Sequence, residues 1–142
     1  MSKGTKRTNE EEAMSLEREK VFSNLKQNIQ NVLEQIEKAV PSDLCSSNSY
    51  SAFLMGLEKS GTLLAQSINN TALMYRSEPS PTEDESEGLC NSIESKSVEV
   101  LNSFLAVPRN CGKYFLAEAR AASISTLKSC ISFVEDLIKV NF

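Results

Sequence analysis

The chain has 142 residues, which is enough for one domain of ordinary size with a buried core. Its hydrophobic fraction of 40% argues against wholesale disorder. The formal net charge is −4, with 15 basic residues scattered among 19 acidic ones, so we expect no direct contact with nucleic acid.

Residues 1–12 are polar, and we expect them to form a disordered N-terminal tail ahead of a single helical domain over residues 13–142. This polar start lacks the apolar core of a secretory signal, which indicates a reducing compartment. Two disulfides are possible in principle, but free thiols are expected in such a compartment. No stretch reaches the ~20 apolar residues of a membrane span, so we expect no membrane partner.

A first helix is predicted from about Ala13 to Val40, because apolar residues recur there in steps of three and four until Pro41 ends the pattern. Its core-facing stripe comprises Phe22, Leu25, Ile29, Val32, Leu33, Ile36 and Val40. A second helix is predicted from Ser49 to about Arg76. Its stripe comprises Phe53, Leu57, Leu64, Ile68, Ala72 and Tyr75.

Gly61 and Ser60 lie at the core-facing turn between Leu57 and Leu64. Two interpretations of this pair stay open. Small residues there let a neighbouring helix approach closely, or the glycine is a weak point that costs ~1 kcal/mol relative to alanine.

The segment after the second helix begins with a short break, Ser77 to Pro79, and then has the chemistry of a helix start. Ser80 is predicted to accept a hydrogen bond from the backbone amide of Glu83, whose carboxylate reaches back to the amide of Ser80. Pro81 then occupies the first helical position, where its missing N–H costs nothing. So short a break predicts that the second and third helices are antiparallel neighbours.

Ser80 also forms a minimal proline-directed kinase site with Pro81. A phosphate there would be favoured by the positive end of the helix dipole. Because Ser-Pro pairs are common, we expect capping to be the main role of Ser80, which is also a candidate phosphosite.

The third helix is predicted from Thr82 to Ala106, and the fourth from about Lys113 toward the C-terminus. Inward positions of the third helix are Leu89, Ile93, Val100, Leu101, Phe104 and Leu105. The stripe of the fourth helix is Ala117, Ala121, Ile124, Leu127, Ile131, Val134 and Ile138. No alternation of period two appears, so we expect an all-α fold, an antiparallel up-down bundle of four long helices.

Residues for catalysis are sparse. Histidine is absent, which removes the commonest general base and the imidazole metal ligands. The acidic run that opens the third helix is expected to be a solvated face. Cys90 and Cys130 are predicted to be small core residues, and we expect Cys111 to be the most exposed of the thiols. We therefore expect no enzymatic activity, no cofactor and no metal.

A recognisable order of residues runs through two stretches, "FLMGLEKSGTLLAQSINNTALMYRSEPSPTEDESEGLC" and "FLAVPRNCGKYFLAEARAASISTLKSCISFVEDL". The shared positions are Phe53, Leu57, Thr71 to Tyr75, Pro79-Ser80-Pro81, Cys90, Pro108, Gly112, Leu116, Arg120, Ala121, Val134-Glu135 and Leu137. Through this order and spacing, roughly Phe22 to Ile138 resembles the N-terminal half of the cyclin-D-binding proteins, also called Grap2 and cyclin-D-interacting proteins. The first helix matches only in pattern.

This resemblance implies a helical bundle that binds D-type cyclins and helix-loop-helix transcription regulators. It further implies a restraint on cyclin-dependent phosphorylation of the retinoblastoma protein, and a cytoplasmic and nuclear location. Family chains are more than twice as long. The lack of a second half is expected to leave an apolar flank uncovered and to favour a homodimer.

Four apolar residues lie off the main stripe of the second helix, and we expect them to form an exposed strip that binds a partner helix. They are Leu54, Leu63, Leu73 and Met74. An alternative function is that of a helical-bundle adaptor of the trafficking or adhesion type, which binds another long helix. A third is a redox-responsive module that depends on Cys111.

Overall fold

The described residues form four α-helices, as the apolar periodicity predicts. The structure is a computed structural model that describes residues 9–41, 51–77, 79, 81–108 and 112–139. The helices are α1 (Asn9–Lys38), α2 (Ser51–Arg76), α3 (Glu83–Leu105) and α4 (Lys113–Lys139). The described part of the chain contains no strand.

Helix α1 begins at Asn9, inside the segment predicted to be a tail, and ends at Lys38. Residues 1–8 lie outside the described part of the chain. Val40, predicted to belong to the core stripe, is instead 65% exposed. This prediction was wrong because the helix ends two residues earlier, so that helical spacing no longer sets the direction of the side chain. Pro41 is fully buried.

Contacts between the helices define an antiparallel up-down bundle and confirm the predicted fold class. From the start of α2 to its end, Ser60, Ser67 and Tyr75 hydrogen-bond with Ser103, Ser92 and Ser86 of α3 in turn, so these two helices run in opposite directions. Phe22 in the first half of α1 packs edge-on against Tyr75 in the last turn of α2, with the ring centres 5.6 Å apart. This contact is in keeping with α2 running opposite to α1. Helix α4 packs extensively against α1 and runs antiparallel to it, since Lys26 pairs with Glu135 near the end of α4, while Arg120 near its start bonds Ala39 just after α1.

The arrangement around the bundle is uneven. Helix α1 packs extensively against α4 and α3, and α2 packs mainly against α3. Among the described residues, the backbones of α1 and α2 do not approach each other, which places these two helices at opposite corners. The α2 and α4 helices are in only limited contact, as are α3 and α4, so the bundle is loosely packed where α4 faces these two helices.

Large apolar side chains from all four helices meet in one core. Each fully buried Leu, Ile, Val or Phe contributes about 1.5–3 kcal/mol to folding through the removal of its surface from water. The largest fully buried hydrophobic side chains of the helices are Phe22, Ile29, Ile36, Leu64, Ile93, Phe104, Leu127 and Val134. Seven of these eight belong to α1, α3 or α4, so α2 contributes a single large residue, Leu64, to this set.

The buried face of α4 differs from the predicted stripe in its first half. Ala119 and Ser123 are buried, whereas the predicted Ala117 and Ala121 are exposed. Farther along, Leu127 and Val134 are buried as predicted. The predicted Ile124, Ile131 and Ile138 are only half-buried and pack around the core. The first-half prediction was wrong because the side chains on both faces of this segment are small, so a pattern of large apolar residues does not show which face is buried.

Hydroxyl groups make most of the direct polar contact between α2 and α3. We call these contacts the hydroxyl pairs: Ser60 with Ser103, Ser67 with Ser92, and Tyr75 with Ser86. Small side chains let the two helices approach, and each hydroxyl satisfies its neighbour in a partly buried place. Of the predicted α2 stripe, Leu64 is buried, while Phe53, Leu57, Ile68, Ala72 and Tyr75 are half-buried.

The N-cap of α3 lies two residues after the predicted one. The N-cap is Thr82, whose hydroxyl accepts a hydrogen bond from the amide of Glu85 at 3.1 Å. The Glu85 carboxylate in turn accepts from the amide of Thr82 at 2.9 Å, which completes a capping box. The box predicted for Ser80 and Glu83 was therefore wrong, and Pro81 precedes the cap. Ser80 itself lies outside the described residues.

A candidate helix-binding groove between two helices

An open groove of about 500 Å³ runs between α2 and α4, on the loosely packed side of the bundle. One wall comes from α2, the other from α4, and Val100 of α3 forms part of the floor. The lining residues are Leu54, Leu57, Glu58, Gly61, Val100, Phe115, Glu118, Ala119, Ala122, Ser123 and Thr126. On α4 these residues extend from Phe115 to Thr126, about 16 Å along the helix at 1.5 Å per residue.

The groove exists because small side chains face each other where larger ones would close the gap. Gly61 on α2 and Ala119, Ala122 and Ser123 on α4 contribute little volume. A methyl group placed on Gly61 would have no atom within 4 Å, apart from its two chain neighbours and the adjacent backbone of its own helix. Close helix approach at this turn is therefore made by Ser60, which is buried against α3, and Gly61 faces the groove.

Hydroxyl groups in the groove donate to their own helix. Ser123 Oγ donates to the carbonyl of Ala119 at 2.8 Å, and Thr126 Oγ1 donates to that of Ala122 at 2.9 Å. Their protons are thereby engaged, so the lining presents mainly hydrocarbon together with two carboxylates, Glu58 and Glu118. Such a surface suits an apolar stripe better than a polar ligand.

Several exposed apolar side chains belong to one end of the bundle, and Leu54 of the groove is one of them. The end of α1 and the starts of α2 and α4 lie together there, because successive helices alternate in direction. Four of the six large exposed hydrophobic residues in the described chain belong to this end: Val40, Leu54, Met55 and Tyr114. Scattered single apolar residues are normal on a surface, whereas Leu54 is both exposed and part of an apolar groove, as expected of an interaction site.

The structure brings one of the four predicted surface residues to this groove. Leu54 lines it and is 51% exposed. Leu63 lies nine residues further on, about 180° around the helix at 100° per residue, so it cannot share that face. Leu73 is exposed elsewhere on α2, and Leu63 and Met74 are half-buried. The four residues do not form one strip, and sequence reasoning did not identify the α4 wall.

The buried thiols are poorly suited to chemistry. Burial, followed by the nearby carboxylates of Glu94 and Glu87, raises the pKa of Cys90 to about 12. Burial likewise raises the pKa of Cys130 to about 11, against a smaller lowering by a hydrogen bond from Ser97. Both are free cysteines in the core, as predicted. Because the thiolate is the reactive form, these thiols are protected from oxidation and metal binding.

Cys111, on which a redox role would depend, lies outside the described residues, as does Cys45. Within the described ranges, no three His, Cys, Asp or Glu side chains gather in a way that could hold a metal ion. None of the helices there combines the length and apolar character needed to cross a membrane.

Comparison of the chain with family models, curated proteins and solved structures gave no match. The resemblance to the cyclin-D-binding family therefore stays a prediction from the order of residues.

Proposed function

We propose that the protein is a non-enzymatic interaction module that binds an amphipathic helix of a partner protein in the groove between α2 and α4. The observation that carries this proposal is the apolar, solvent-open groove, whose lining includes the exposed residue Leu54. Recognition of this kind places apolar anchors at positions i, i+3 or i+4, and i+7 of the bound helix. The α4 wall spans about 16 Å, which matches three turns of such a helix.

D-type cyclins and helix-loop-helix transcription regulators are the partners that the family resemblance suggests. Both classes present helices, and a groove that receives one helix is compatible with either. Under this proposal the protein acts in the cytoplasm and nucleus and restrains cell-cycle progression by occupying these regulators. The support for the specific partners is the resemblance, and the support for the mode of binding is the groove.

The test compares two leucines of α2 that share exposure but differ in position. Leu54 lines the groove, and Leu73 is 61% exposed on another face. We expect Leu54→Ser to weaken binding of purified D-type cyclin or helix-loop-helix protein at least tenfold, because it removes an apolar anchor contact. Leu73→Ser should leave the affinity unchanged. Binding is measured by calorimetry, and circular dichroism checks that both variants keep the helical fold.

Equal affinity of the two variants would place the interface elsewhere on the bundle. Failure of every cyclin and helix-loop-helix protein to bind the unmodified chain would remove these partners. Binding to a long helix of a trafficking or adhesion protein in the same groove would then favour the adaptor function.

A further inference from the structure

The two carboxylates of the groove, Glu58 and Glu118, lie on opposite walls. Glu58 belongs to α2 and Glu118 to α4, and both are exposed. They are the only charged residues among those that line the groove. The walls are thus apolar along their length with one negative charge on each side.

Neither carboxylate is neutralised by a neighbouring base. Positions three and four residues from Glu58 on its own helix are Leu54, Met55, Gly61 and Thr62, and those around Glu118 are Tyr114, Phe115, Ala121 and Ala122. No ion pair joins either carboxylate to a base among the described residues. By contrast, Glu135 pairs with Lys26 at 3.0 Å.

The nearest lysines in sequence face away from the groove. Lys59 follows Glu58 by one position and Lys113 precedes Glu118 by five, so at 100° per residue each lies at least 100° around its helix from the carboxylate. The negative charges therefore act on the groove itself, where low-dielectric walls strengthen their field.

We propose that the helix bound in this groove carries Lys or Arg on both flanks of its apolar stripe. This inference rests on the proposed function, since it names the chemistry of the occupant of that groove. Apolar anchors at i, i+3 or i+4, and i+7 enter between Leu57 and Ala119. Basic side chains on either side reach Glu58 and Glu118, with their aliphatic stems against the groove walls. The expected partner is thus a basic amphipathic helix of about 11 to 14 residues, the length that spans the groove.

Charges at the rim of an interface act mainly on association rate and specificity. Each exposed ion pair is worth a few-fold in affinity at most, so two of them should give roughly a threefold to tenfold preference. The preference should decrease as salt rises, because exposed charges are screened within about 10 Å at 0.1 M ionic strength.

The experiment uses three synthetic helical peptides on the full chain. All three share one leucine stripe, and their flanking positions are Lys, Gln or Glu. By fluorescence anisotropy, we expect the Lys peptide to bind threefold to tenfold more tightly than the Gln peptide, and the Glu peptide to bind most weakly. In the double variant Glu58→Lys with Glu118→Lys, this order should reverse.

A matched control variant carries Glu19→Lys with Glu37→Lys, two exposed carboxylates of α1 that do not line the groove. It changes the net charge by the same amount and should keep most of the preference for the Lys peptide. A reversal in the control as well would show that overall charge, and not the groove, selects the peptide, and would overturn the inference.

The outcomes separate this inference from the proposed function. Equal affinity for the three peptides, combined with weaker binding to Leu54→Ser, would leave the groove function standing and refute the charge preference. Absence of binding by all three peptides at millimolar concentration would refute both.

Discussion

The guanidinium of Arg120 in α4 donates a hydrogen bond to the carbonyl of Ala39, just after the end of α1, at 2.6 Å. Its Nε donates to the carbonyl of Ile36 at 3.3 Å. The same group lies 5.3 Å from the centre of the Phe104 ring of α3. One side chain thus satisfies carbonyls that the end of a helix leaves unpaired, places a positive charge at the negative end of the helix dipole, and joins three helices.

Replacement of Arg120 by methionine should lower the free energy of unfolding by about 2–3 kcal/mol, because carbonyls of α1 lose charged donors and Phe104 loses its cation. Arg120→Lys should recover only part of this loss, since lysine keeps the charge but lacks the planar guanidinium that donates from two fixed nitrogens and lies against an aromatic ring. Urea unfolding measures both. Lys128→Met, which removes an exposed positive charge from the same helix, is the control and should stay within ~0.5 kcal/mol of the unmodified protein.

The pair Ser67 and Ser92 should show an asymmetric response to mutation. Ser67 is buried and Ser92 half-buried, so Ser92→Ala leaves a buried hydroxyl without its partner, while Ser67→Ala leaves one that water can reach. We expect losses of about 1–2 kcal/mol for Ser92→Ala and about 0.5–1 for Ser67→Ala. The double variant should be less damaging than the sum of the two. Additive losses in a double-mutant cycle would show that the hydroxyls are not coupled.

The capping box of α3 predicts a contrast between two neighbouring hydroxyl residues. Thr82→Ala removes the acceptor for the Glu85 amide and should cost about 1 kcal/mol of stability. Ser80→Ala should cost little, because the cap is Thr82. Thermal unfolding followed by circular dichroism measures both. A larger loss for Ser80→Ala than for Thr82→Ala would contradict the observed start of the helix.

Two glycines within α2 have space for a side chain. Apart from chain neighbours and the adjacent backbone of α2, a methyl group on Gly56 or Gly61 would have no atom within 4 Å. Alanine at either position should therefore stabilise the protein by about 0.5–1 kcal/mol, because it restricts the unfolded chain and favours the helix. Gly61→Ala should in addition reduce the affinity for a helix in the groove that Gly61 lines, whereas Gly56→Ala should not. Destabilisation by Gly61→Ala would contradict this free space and show that neighbouring atoms pack closely against the glycine.

Stability should fall at high pH because of the two buried thiols. Their pKa values are raised from 9.0 to about 12 for Cys90 and about 11 for Cys130. Each thiol keeps its proton in the folded state above pH 9 but loses it in the unfolded state. The contribution of each is therefore fully present below pH 9 and is lost progressively as the pH rises through the folded pKa, by about 1 kcal/mol per thiol at pH 10.

This pH dependence is measured by urea unfolding between pH 8 and 11 in a background where Cys45 and Cys111 are serine. In the double variant Cys90→Ala with Cys130→Ala, the free energy of unfolding should fall less steeply with pH. Only this slope is compared between the two proteins. An equally steep decline in both proteins would assign the loss to other groups that titrate in this range.

Sequence periodicity predicted the helices and the strongest core positions, because Phe22, Ile29, Ile36 and Phe104 are large apolar residues at helical spacing. It failed where small residues make the contact. Ala119 and Ser123 carry no hydrophobic signal that separates them from Ala117 and Ala121, yet only the first two are buried. Which face of an alanine-rich segment turns inward depends on the helix that packs against it.

The cap of α3 illustrates a second limit. Ser80 with Glu83 and Thr82 with Glu85 both fit the capping-box spacing, so the sequence contains two overlapping candidates. The later start is compatible with the full burial of Pro81 and with the contact of Ser86 with Tyr75. These are tertiary contacts, which no local pattern contains. The groove was unforeseen for the same reason, since its two walls are more than 50 residues apart in sequence.

The placement of α1 and α2 at opposite corners has a consequence for synthesis on the ribosome. Helix α1 is made first, but the helices that cover its apolar stripe, α3 and α4, are made after α2. The nascent chain therefore holds Phe22, Leu25 and Ile29 without their final neighbours until most of the domain has left the exit tunnel. Chaperones that bind apolar segments should engage this helix during translation and release it once the last helix docks.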